Sequence, residues 1–478
     1  MIYDLCIIGG GVNGCGIARD AAMRGYKVLL LERNDLASAT SSASSKIIHG
    51  GLRYLEYGEF RLVREALKER EVLLKIAPHI IWPLEFVLPH TPALRPAWMI
   101  QAGLFLYDHL AARKTLPAAK KINLHKHAAG QGFNSAFGTA FTYADCWVQD
   151  SRLVVLNAMD AVKHGAVIKN YCGMESVTAL PDKGWKIAAG GQDYYAHMIV
   201  NAAGPWVDRV QKHLTPSPIH LRLVQGSHII VPRLYDGPHA YILQQDDRRI
   251  VFAFPYEENF TYIGTTDTEY FGDPAGADIT EGEKEYLLQA ANNVFTKKIT
   301  KSDIIHTYTG VRPLLDDGAA KARAITRDYK IVMSGGANHP CLSVVGGKIT
   351  TYRTLSEKAL HEINRTFEKD VLSRTAQTPL PGGDFDDFDS FLTQQTQKYE
   401  QLSPALVKRY ARAYGTKMND FCSSHMGEHY GDGVYEAEID YLQNNEFAQT
   451  LDDILWRRSK LALHISPQTR NKLQERLS

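Results

Sequence analysis

Three glycines near the start of the chain, at positions 9, 11 and 14, have the spacing of a phosphate-binding turn. In Gly9-Gly10-Gly11-Val12-Asn13-Gly14 they spell GxGxxG between an apolar strand, Leu5-Cys6-Ile7-Ile8, and a helix expected from about Asn13 to Arg24. The first glycine permits a tight turn. The second lets a pyrophosphate approach the backbone, and the third lets helix pack closely on strand. The helix start then offers amide donors and a partial positive charge to phosphate oxygens. Glu32 ends the next strand, Lys27 to Leu31, where a carboxylate suits the two hydroxyls of a ribose. Strand, turn, helix and acid together imply a dinucleotide site.

The turn alone does not separate FAD from NAD, but two further segments favour FAD. Thr40-Ser41-Ser42-Ala43-Ser44-Ser45-Lys46 lies where many flavoproteins wrap the pyrophosphate, ribityl chain and flavin. Far downstream, Gly346-Gly347-Lys348-Ile349-Thr350-Thr351 offers a second helix start with amides available. A long, extended cofactor needs such a second site. No second GxGxxG occurs, which argues against a flavin reductase fed by NADPH.

The elements that must position these residues follow from periodicity. The opening strand–helix–strand predicts a parallel sheet covered by helices. A helix is expected from Phe60 to Leu74 and another from Val154 to Lys163. Turn-punctuated strands at Met174–Leu180 and Trp185–Ala188 lead back to a buried strand, His197–Ala203. Strands at Ser227–Val231, Ala240–Leu243, Arg249–Pro255 and Phe260–Thr265 suggest an antiparallel sheet. Thr280-Glu281-Gly282-Glu283 is a capping box that opens a helix to about Phe295. The α/β core is expected to resume at Tyr308. Beyond a linker at Pro379–Gly383 the chain reads as helical and polar, at Pro404–Tyr414, Val434–Asn444 and Asp452–His464. The expected fold class is α/β: a Rossmann-type FAD-binding domain, an antiparallel β-sheet substrate or cap domain, and a C-terminal all-α domain. The boundaries are 1–90, 145–221 and 308–365 for the discontinuous FAD-binding domain. Residues 91–144 and 222–307 form the cap, and 385–478 the helical domain.

At 478 residues the chain is long enough for two or three domains. A formal net charge of +1 gives no support to nucleic-acid binding. No apolar run of about 18 residues occurs, so no spanning helix is expected. The chain enters its first strand at once, which leaves no room for a signal peptide. Cys6, Cys15, Cys146, Cys172, Cys341 and Cys422 form no CxxC pair, and buried free thiols are expected with no metal site.

Six motifs, in order, resemble the FAD-dependent (aerobic, respiratory) glycerol-3-phosphate dehydrogenases. They are Ser41-Ser42-Ala43-Ser44-Ser45-Lys46-Ile47-Ile48-His49-Gly50-Gly51-Leu52-Arg53-Tyr54-Leu55-Glu56, Leu94-Arg95-Pro96-Ala97-Trp98-Met99, Asn201-Ala202-Ala203-Gly204-Pro205-Trp206-Val207, Gly264-Thr265-Thr266-Asp267, Gly310-Val311-Arg312-Pro313-Leu314 and Gly346-Gly347-Lys348-Ile349-Thr350-Thr351-Tyr352-Arg353. The likeness runs through nearly the whole chain, including Trp456-Arg457-Arg458. It implies oxidation of sn-glycerol 3-phosphate to dihydroxyacetone phosphate, with hydride transfer from C2 to flavin N5. It also implies cofactor contacts at Asn13, Arg33, His49, Gly50, Gly51, Ala203, Gly204, Trp206 and Gly310, beside Gly9, Gly11, Gly14, Glu32, Thr40, Ser41, Ser45, Lys46, Gly346, Gly347, Lys348, Ile349 and Thr350. Ala203 stands where many flavoproteins carry threonine.

A phosphate dianion needs cations or oriented donors, and Arg53, Arg312, Lys348 and Arg327 are the candidates. His49 is the candidate base, since histidine exchanges a proton near neutrality. His228 is a weaker alternative for that role and a substrate contact, and Tyr54 is expected to line the pocket. The catalytic set is thus His49, Arg312 and Lys348.

The resemblance further implies delivery of electrons to a membrane quinone, ubiquinone or menaquinone, by an enzyme on the inner face of the cell membrane. Residues 94–121 suit a monotopic interface. They hold Arg95, Arg113, Lys114, Lys120 and Lys121 against one acid, Asp108, with Trp98, Met99, Ile100, Leu104, Phe105, Leu106 and Tyr107 among them. A packed cap helix is the other reading of this stretch. A glycerol-3-phosphate oxidase that makes hydrogen peroxide, an amine oxidase of the same fold and a non-catalytic FAD-binding protein remain as alternatives. A homodimer is left open.

Overall fold

The structure is a computed structural model that describes residues 1–90, 96–112, 114–134, 136–215, 219–247, 249–316, 328–423 and 425–477. Two sheets organise it. In the first, strands Cys341–Val345, Gln192–Asn201, Ile2–Ile8, Val28–Leu31 and Val167–Lys169 run parallel in that spatial order. Lys330–Ser334 adds an antiparallel edge.

Alternation along these strands feeds two separate cores. Leu5, Ile7, Val28, Leu30, Val200, Leu342 and Val344 face helices Val12–Met23, Asp150–Lys163 and Tyr352–Phe367. Cys6, Ile8, Leu29, Leu31, Ile199 and Cys341 face the opposite way, onto the hairpin that carries Trp185 and Ile187. Burial on both faces explains why the strands read as continuous apolar runs. Inside the helical layer Arg19 bonds Asp160 at 2.6 Å, both side chains buried.

The second sheet is larger than the sequence suggests. Its order is Thr268–Glu269, Leu221–Pro232, Phe260–Gly264, Ile250–Tyr256, Ala240–Gln244, Ile81–His90, Thr139–Val148 and Ile47–Ile48, with His306–Leu315 also paired to Leu221–Pro232. Every pairing is antiparallel except that of Ala240–Gln244 with Ile81–His90. The segments 81–90 and 308–315, read from sequence as dinucleotide-domain pieces, therefore lie in this sheet. For the second, the ten-residue antiparallel register from Leu221↔Leu315 to Ile230↔His306 is the physical reason. Gly310 and Arg312 therefore belong to the second sheet.

One face of this sheet packs on helix Glu281–Asn292, whose start carries the expected Thr280–Glu283 capping box. The other face, with Phe86, Phe141, Tyr143, Ile230 and Tyr262, covers Val63 and Leu67 of helix Phe60–Ile76. Leu104 and Tyr107 of helix Ala97–His109 pack there too. The C-terminal region holds helices Phe388–Lys398, Pro404–Tyr414, Glu436–Asn445 and Pro467–Leu477 around one core. It is not purely helical, because a two-stranded ribbon pairs His429–Gly431 with Val434–Tyr435. Val434 and Tyr435 therefore precede their helix instead of starting it. All six cysteines are buried and free.

Candidate active site

Loops and strand His306–Leu315 converge where the two sheets meet, and the glycine turn is the first. Gly9 has φ +114°, and a Cβ there would lie 2.5 Å from the Ala202 carbonyl oxygen. A Cβ on Gly14 would lie 1.9 Å from Gly9 O. Both positions exclude a side chain, leaving the start of helix Val12–Met23 open to a pyrophosphate. The Val12 amide donates to Ser41 Oγ at 3.1 Å, so the serine-rich loop closes over this turn. Glu32 accepts from the Gly10 amide at 2.6 Å and from the Asn34 amide at 2.8 Å. Burial pushes its carboxyl up, while those two amides pull it down. At the same end Arg33 lies 5.5 Å over the Trp206 ring. Gly204, with φ +54°, starts the short turn carrying Trp206, and Ala203 caps that turn.

The other loops are tied to each other directly. Thr40 Oγ1 donates to Val311 O at 2.6 Å. Asn13 Nδ2 donates to Gly346 O at 3.2 Å, and the His49 amide donates to Thr350 Oγ1 at 3.2 Å. Gly346 and Gly347 have φ +76° and +100°, a left-handed pair before the turn Ile349–Thr351. A Cβ on Gly310 would come within 3.1 Å of Ala43 Cβ. Segments from separate parts of the sequence are thus tied together, and their side-chain-free turns fit FAD.

In the second sheet Arg312 NH1 donates to Asp267 Oδ1 at 2.8 Å and NH2 donates to Thr265 Oγ1 at 2.9 Å. Gly226 leaves room for it, since a Cβ there would be 2.3 Å from Arg312 NH2. Lys348 Nζ sits 3.7 Å over the Tyr54 ring, and Gly51, with φ +80°, turns the chain under the same ring. Arg53 is half-buried in the short turn Leu52–Tyr57. Arg327 lies outside the described residues.

Two sequence candidates sit differently from a simple contact reading. Lys46 is buried, with Nζ 2.9 Å from both oxygens of Asp150 and 2.9 Å from Ser42 O. Its ammonium braces the serine loop. His228 is buried, with Nε2 3.0 Å from Ser45 Oγ. Burial, then the charges of Arg312 and Lys46, holds it well below the usual histidine range, so it is neutral near pH 7.

The sequence reading missed several supports. Asp150 also accepts from Ser44 Oγ at 2.8 Å. The Gly50 amide donates to Tyr107 Oη at 2.8 Å, and Tyr107 in turn donates to Asp145 at 2.8 Å. Arg70 NH1 bonds the same carboxylate at 2.6 Å. Burial and then Asp145 push the Tyr107 hydroxyl far up, so it remains a donor. Asp267 was visible within a recognised motif but was given no task. Nothing local in sequence marked Asp145 or Tyr107.

Residues 4–353 match the FAD dependent oxidoreductase family, and residues 373–476 match the C-terminal domain of alpha-glycerophosphate oxidase. Fold, cradle and family together define an FAD-dependent oxidoreductase. A glycerol-3-phosphate dehydrogenase of Pseudomonas aeruginosa is 51% identical over 491 residues, spanning 100% of this chain and 95% of that protein. A D-erythritol 1-phosphate dehydrogenase of Brucella abortus is 45% identical, over 97% of this chain and 95% of that protein. The crystal structure of glycerol-3-phosphate dehydrogenase from Bacillus halodurans, complexed with FAD, matches with TM-score 0.79 at 27% identity, covering 99% of this chain and 89% of that one. The chain belongs to the FAD-dependent glycerol-3-phosphate dehydrogenase family.

Proposed function

We propose that this enzyme oxidises sn-glycerol 3-phosphate to dihydroxyacetone phosphate and passes the electrons to a membrane quinone, ubiquinone or menaquinone. The observation that carries the substrate reading is Arg312, a guanidinium fixed by Asp267 and Thr265 beside the flavin cradle. A planar fork held in place suits a phosphate dianion, and Arg53 and Lys348 add charge around it. Both relatives are named for a polyol phosphate, which supports a site that grips a phosphate.

His49 takes the hydroxyl proton in this reading. Flavin, when bound, supplies the two-electron acceptor for the hydride that leaves C2. Glu32 holds the adenosine ribose, and the amides following Gly11 hold the pyrophosphate. His228 and Tyr54 wall the pocket. His228 is the weaker candidate base because its imidazole is already hydrogen-bonded to Ser45 and buried.

The membrane reading rests on helix Ala97–His109. It turns Leu104 and Tyr107 inward, while Trp98 is 67% and Phe105 66% exposed, with Met99 and Leu106 beside them. Lys114, Lys120 and Lys121 are exposed nearby in sequence, whereas Arg95 and Arg113 lie outside the described residues. Among the described residues no helix is long and apolar enough to cross a membrane. An interfacial helix with a basic flank suits peripheral binding on the inner face.

Oxygen as acceptor is the second reading, favoured by the oxidase named in the match to residues 373–476. Anaerobic bleaching of the bound flavin by glycerol 3-phosphate, then re-oxidation by a soluble quinone or by air, tests both. No bleaching removes the substrate reading. Re-oxidation by air at the rate given by quinone removes the quinone reading.

A further inference from the structure

We propose that the C-terminal domain is part of the FAD-holding machinery, with Arg457 and Arg458 as positioning residues that lock Asp35 and, through it, the ribose-binding carboxylate of Glu32. Asp35 is buried, three residues after Glu32, in the turn that leaves strand Val28–Leu31. Its Oδ2 accepts from Arg457 Nε and from Arg458 NH1, each at 2.5 Å. Its Oδ1 accepts from Arg458 NH2 at 2.7 Å and from Asn170 Nδ2 at 3.2 Å. Two consecutive arginines thus close on one carboxylate more than four hundred residues away in sequence.

The segment that presents them has a specific shape. Asp453–Arg458 is a π-helix, and the Ser459 amide donates to Ile454 O, five residues back, at 3.0 Å. Such widened turns are uncommon and concentrate at functional sites. Arg457 also bonds Asp453, so two guanidiniums meet two carboxylates and the cluster is neutral. Arg458 Nε donates to Glu446 O at 2.7 Å, which fixes the lock to the body of the C-terminal domain.

The turn on the other side of the lock is wired into the cofactor cradle. The Asn34 amide, one residue before Asp35, donates to Glu32 Oε1. The Ala37 amide, two residues after it, donates to Gly10 O at 3.0 Å. The Cys172 amide donates to Glu32 O at 2.8 Å, and Asn170 bonds both Asp35 and Phe447 O. Glu32 and Gly10 are therefore held by the residues flanking Asp35, and Asp35 is held from the C-terminal domain. A buried carboxylate losing one charged partner is costly, so opening the lock frees the whole turn. The direct consequence is faster loss of FAD, with the chemistry at the flavin end unchanged.

The inference rests on Glu32 being the ribose ligand, and the experiment separates the two. Flavin fluorescence released on dilution of the holoenzyme gives the FAD Kd for wild type, Glu32→Gln, Asp35→Asn, Arg458→Gln and Arg458→Lys. Expected is a rise of about tenfold or more in Kd for Asp35→Asn and Arg458→Gln, or ~1.4 kcal/mol. Arg458→Lys should recover part of it, and flavin reduction at saturating FAD should keep the wild-type rate. An unchanged Kd in Asp35→Asn beside a raised Kd in Glu32→Gln overturns the lock and leaves the ribose contact standing. An unchanged Kd in Glu32→Gln removes the ribose contact and the lock with it. Hydrogen exchange on the wild-type chain covers the case in which the variants fail to fold. FAD loading should slow exchange at residues 453–459 and at 33–37 together, and a segment 453–459 that ignores FAD overturns the proposal.

Discussion

Arg312, inside strand His306–Leu315, and Asp267, in the loop just before Thr268–Glu269, lie 2.8 Å apart, and the carboxylate aims the guanidinium without sealing it off, since both side chains retain some exposure. Removing the carboxylate's charge should loosen the aim and leave the cation. Asp267→Asn should therefore raise the KM for glycerol 3-phosphate more than it lowers the limiting rate of flavin reduction. Arg312→Ala removes the grip itself. A hydrogen bond to a charged group contributes about 1.5–3 kcal/mol, so kcat/KM should fall by roughly 10- to 100-fold. Stopped-flow reduction over a concentration series checks both; a wild-type KM in Arg312→Ala would remove this residue from the substrate site.

The two histidines should separate cleanly. A general base contributes typically ~10²–10⁴-fold, so His49→Asn should slow anaerobic flavin reduction by a factor in that range. His228 is kept neutral by burial and by the charges of Arg312 and Lys46, with Ser45 as its partner. His228→Gln should disturb the position of Ser45 and weaken FAD or substrate binding. It should leave the pH dependence of the reduction rate in place. Loss of that pH dependence in His228→Gln, with His49→Asn normal, would exchange the two assignments.

The sequence made the cofactor half legible because its constraints are local. Gly9, Gly11, Gly14 and Glu32 act within one strand–turn–helix–strand unit, where spacing alone fixes geometry. The serine loop and Gly346–Thr350 were legible as types of backbone, but not what they touch. Lys46 shows the limit. An exposed-looking cation in a phosphate-facing loop turns out to be buried against Asp150, and nothing in the local pattern of either segment names the other. His306–Leu315 was misread for a related reason. The α/β core is expected to resume at Tyr308, yet nothing local in this segment assigns it to either sheet, and only long-range pairing with Leu221–Pro232 decides. Asp35 with Arg457 and Arg458 was out of reach, because the bond spans nearly the whole chain.

Acid should destabilise this fold in a defined window. His79 is fully buried, and burial, then the charges of Arg152 and Arg412, brings it down from its ordinary value near 6.5 to about 3. Gly382 of the linker approaches its ring, so protonation would place a charge at the seam with the C-terminal domain. Between those two values the unfolded chain binds the extra proton. Stability is thus complete above about pH 6.5 and falls as pH drops toward 3, by about 1.4 kcal/mol per pH unit for one such group. His228 adds a contribution of the same sign. Urea midpoints measured from pH 7 to pH 5 should fall, and His79→Gln should flatten the slope even if it lowers stability at pH 7. An identical slope in His79→Gln would show that another group carries the acid sensitivity.

Membrane contact should be separable from chemistry because helix Ala97–His109 divides its tasks by face. Leu104 and Tyr107 point inward, and Tyr107 Oη supports the Gly50 amide next to His49. Trp98 and Phe105 point outward and are largely exposed. Fully burying one large apolar side chain is worth about 1.5–3 kcal/mol, so losing both should weaken vesicle binding by at least ~100-fold. Trp98→Ser with Phe105→Ser should therefore leave the protein unbound in flotation with anionic vesicles, while glycerol 3-phosphate still reduces its flavin at the wild-type rate. Lys114→Glu with Lys120→Glu and Lys121→Glu should weaken binding mainly at low salt, as screened surface charge requires. Tyr107→Phe should do the reverse, since it removes the hydroxyl from Gly50 and Asp145 without altering the outer face: vesicle binding intact, flavin reduction slower. If the Trp98 and Phe105 double variant floats like wild type, the exposed face of this helix serves some other contact.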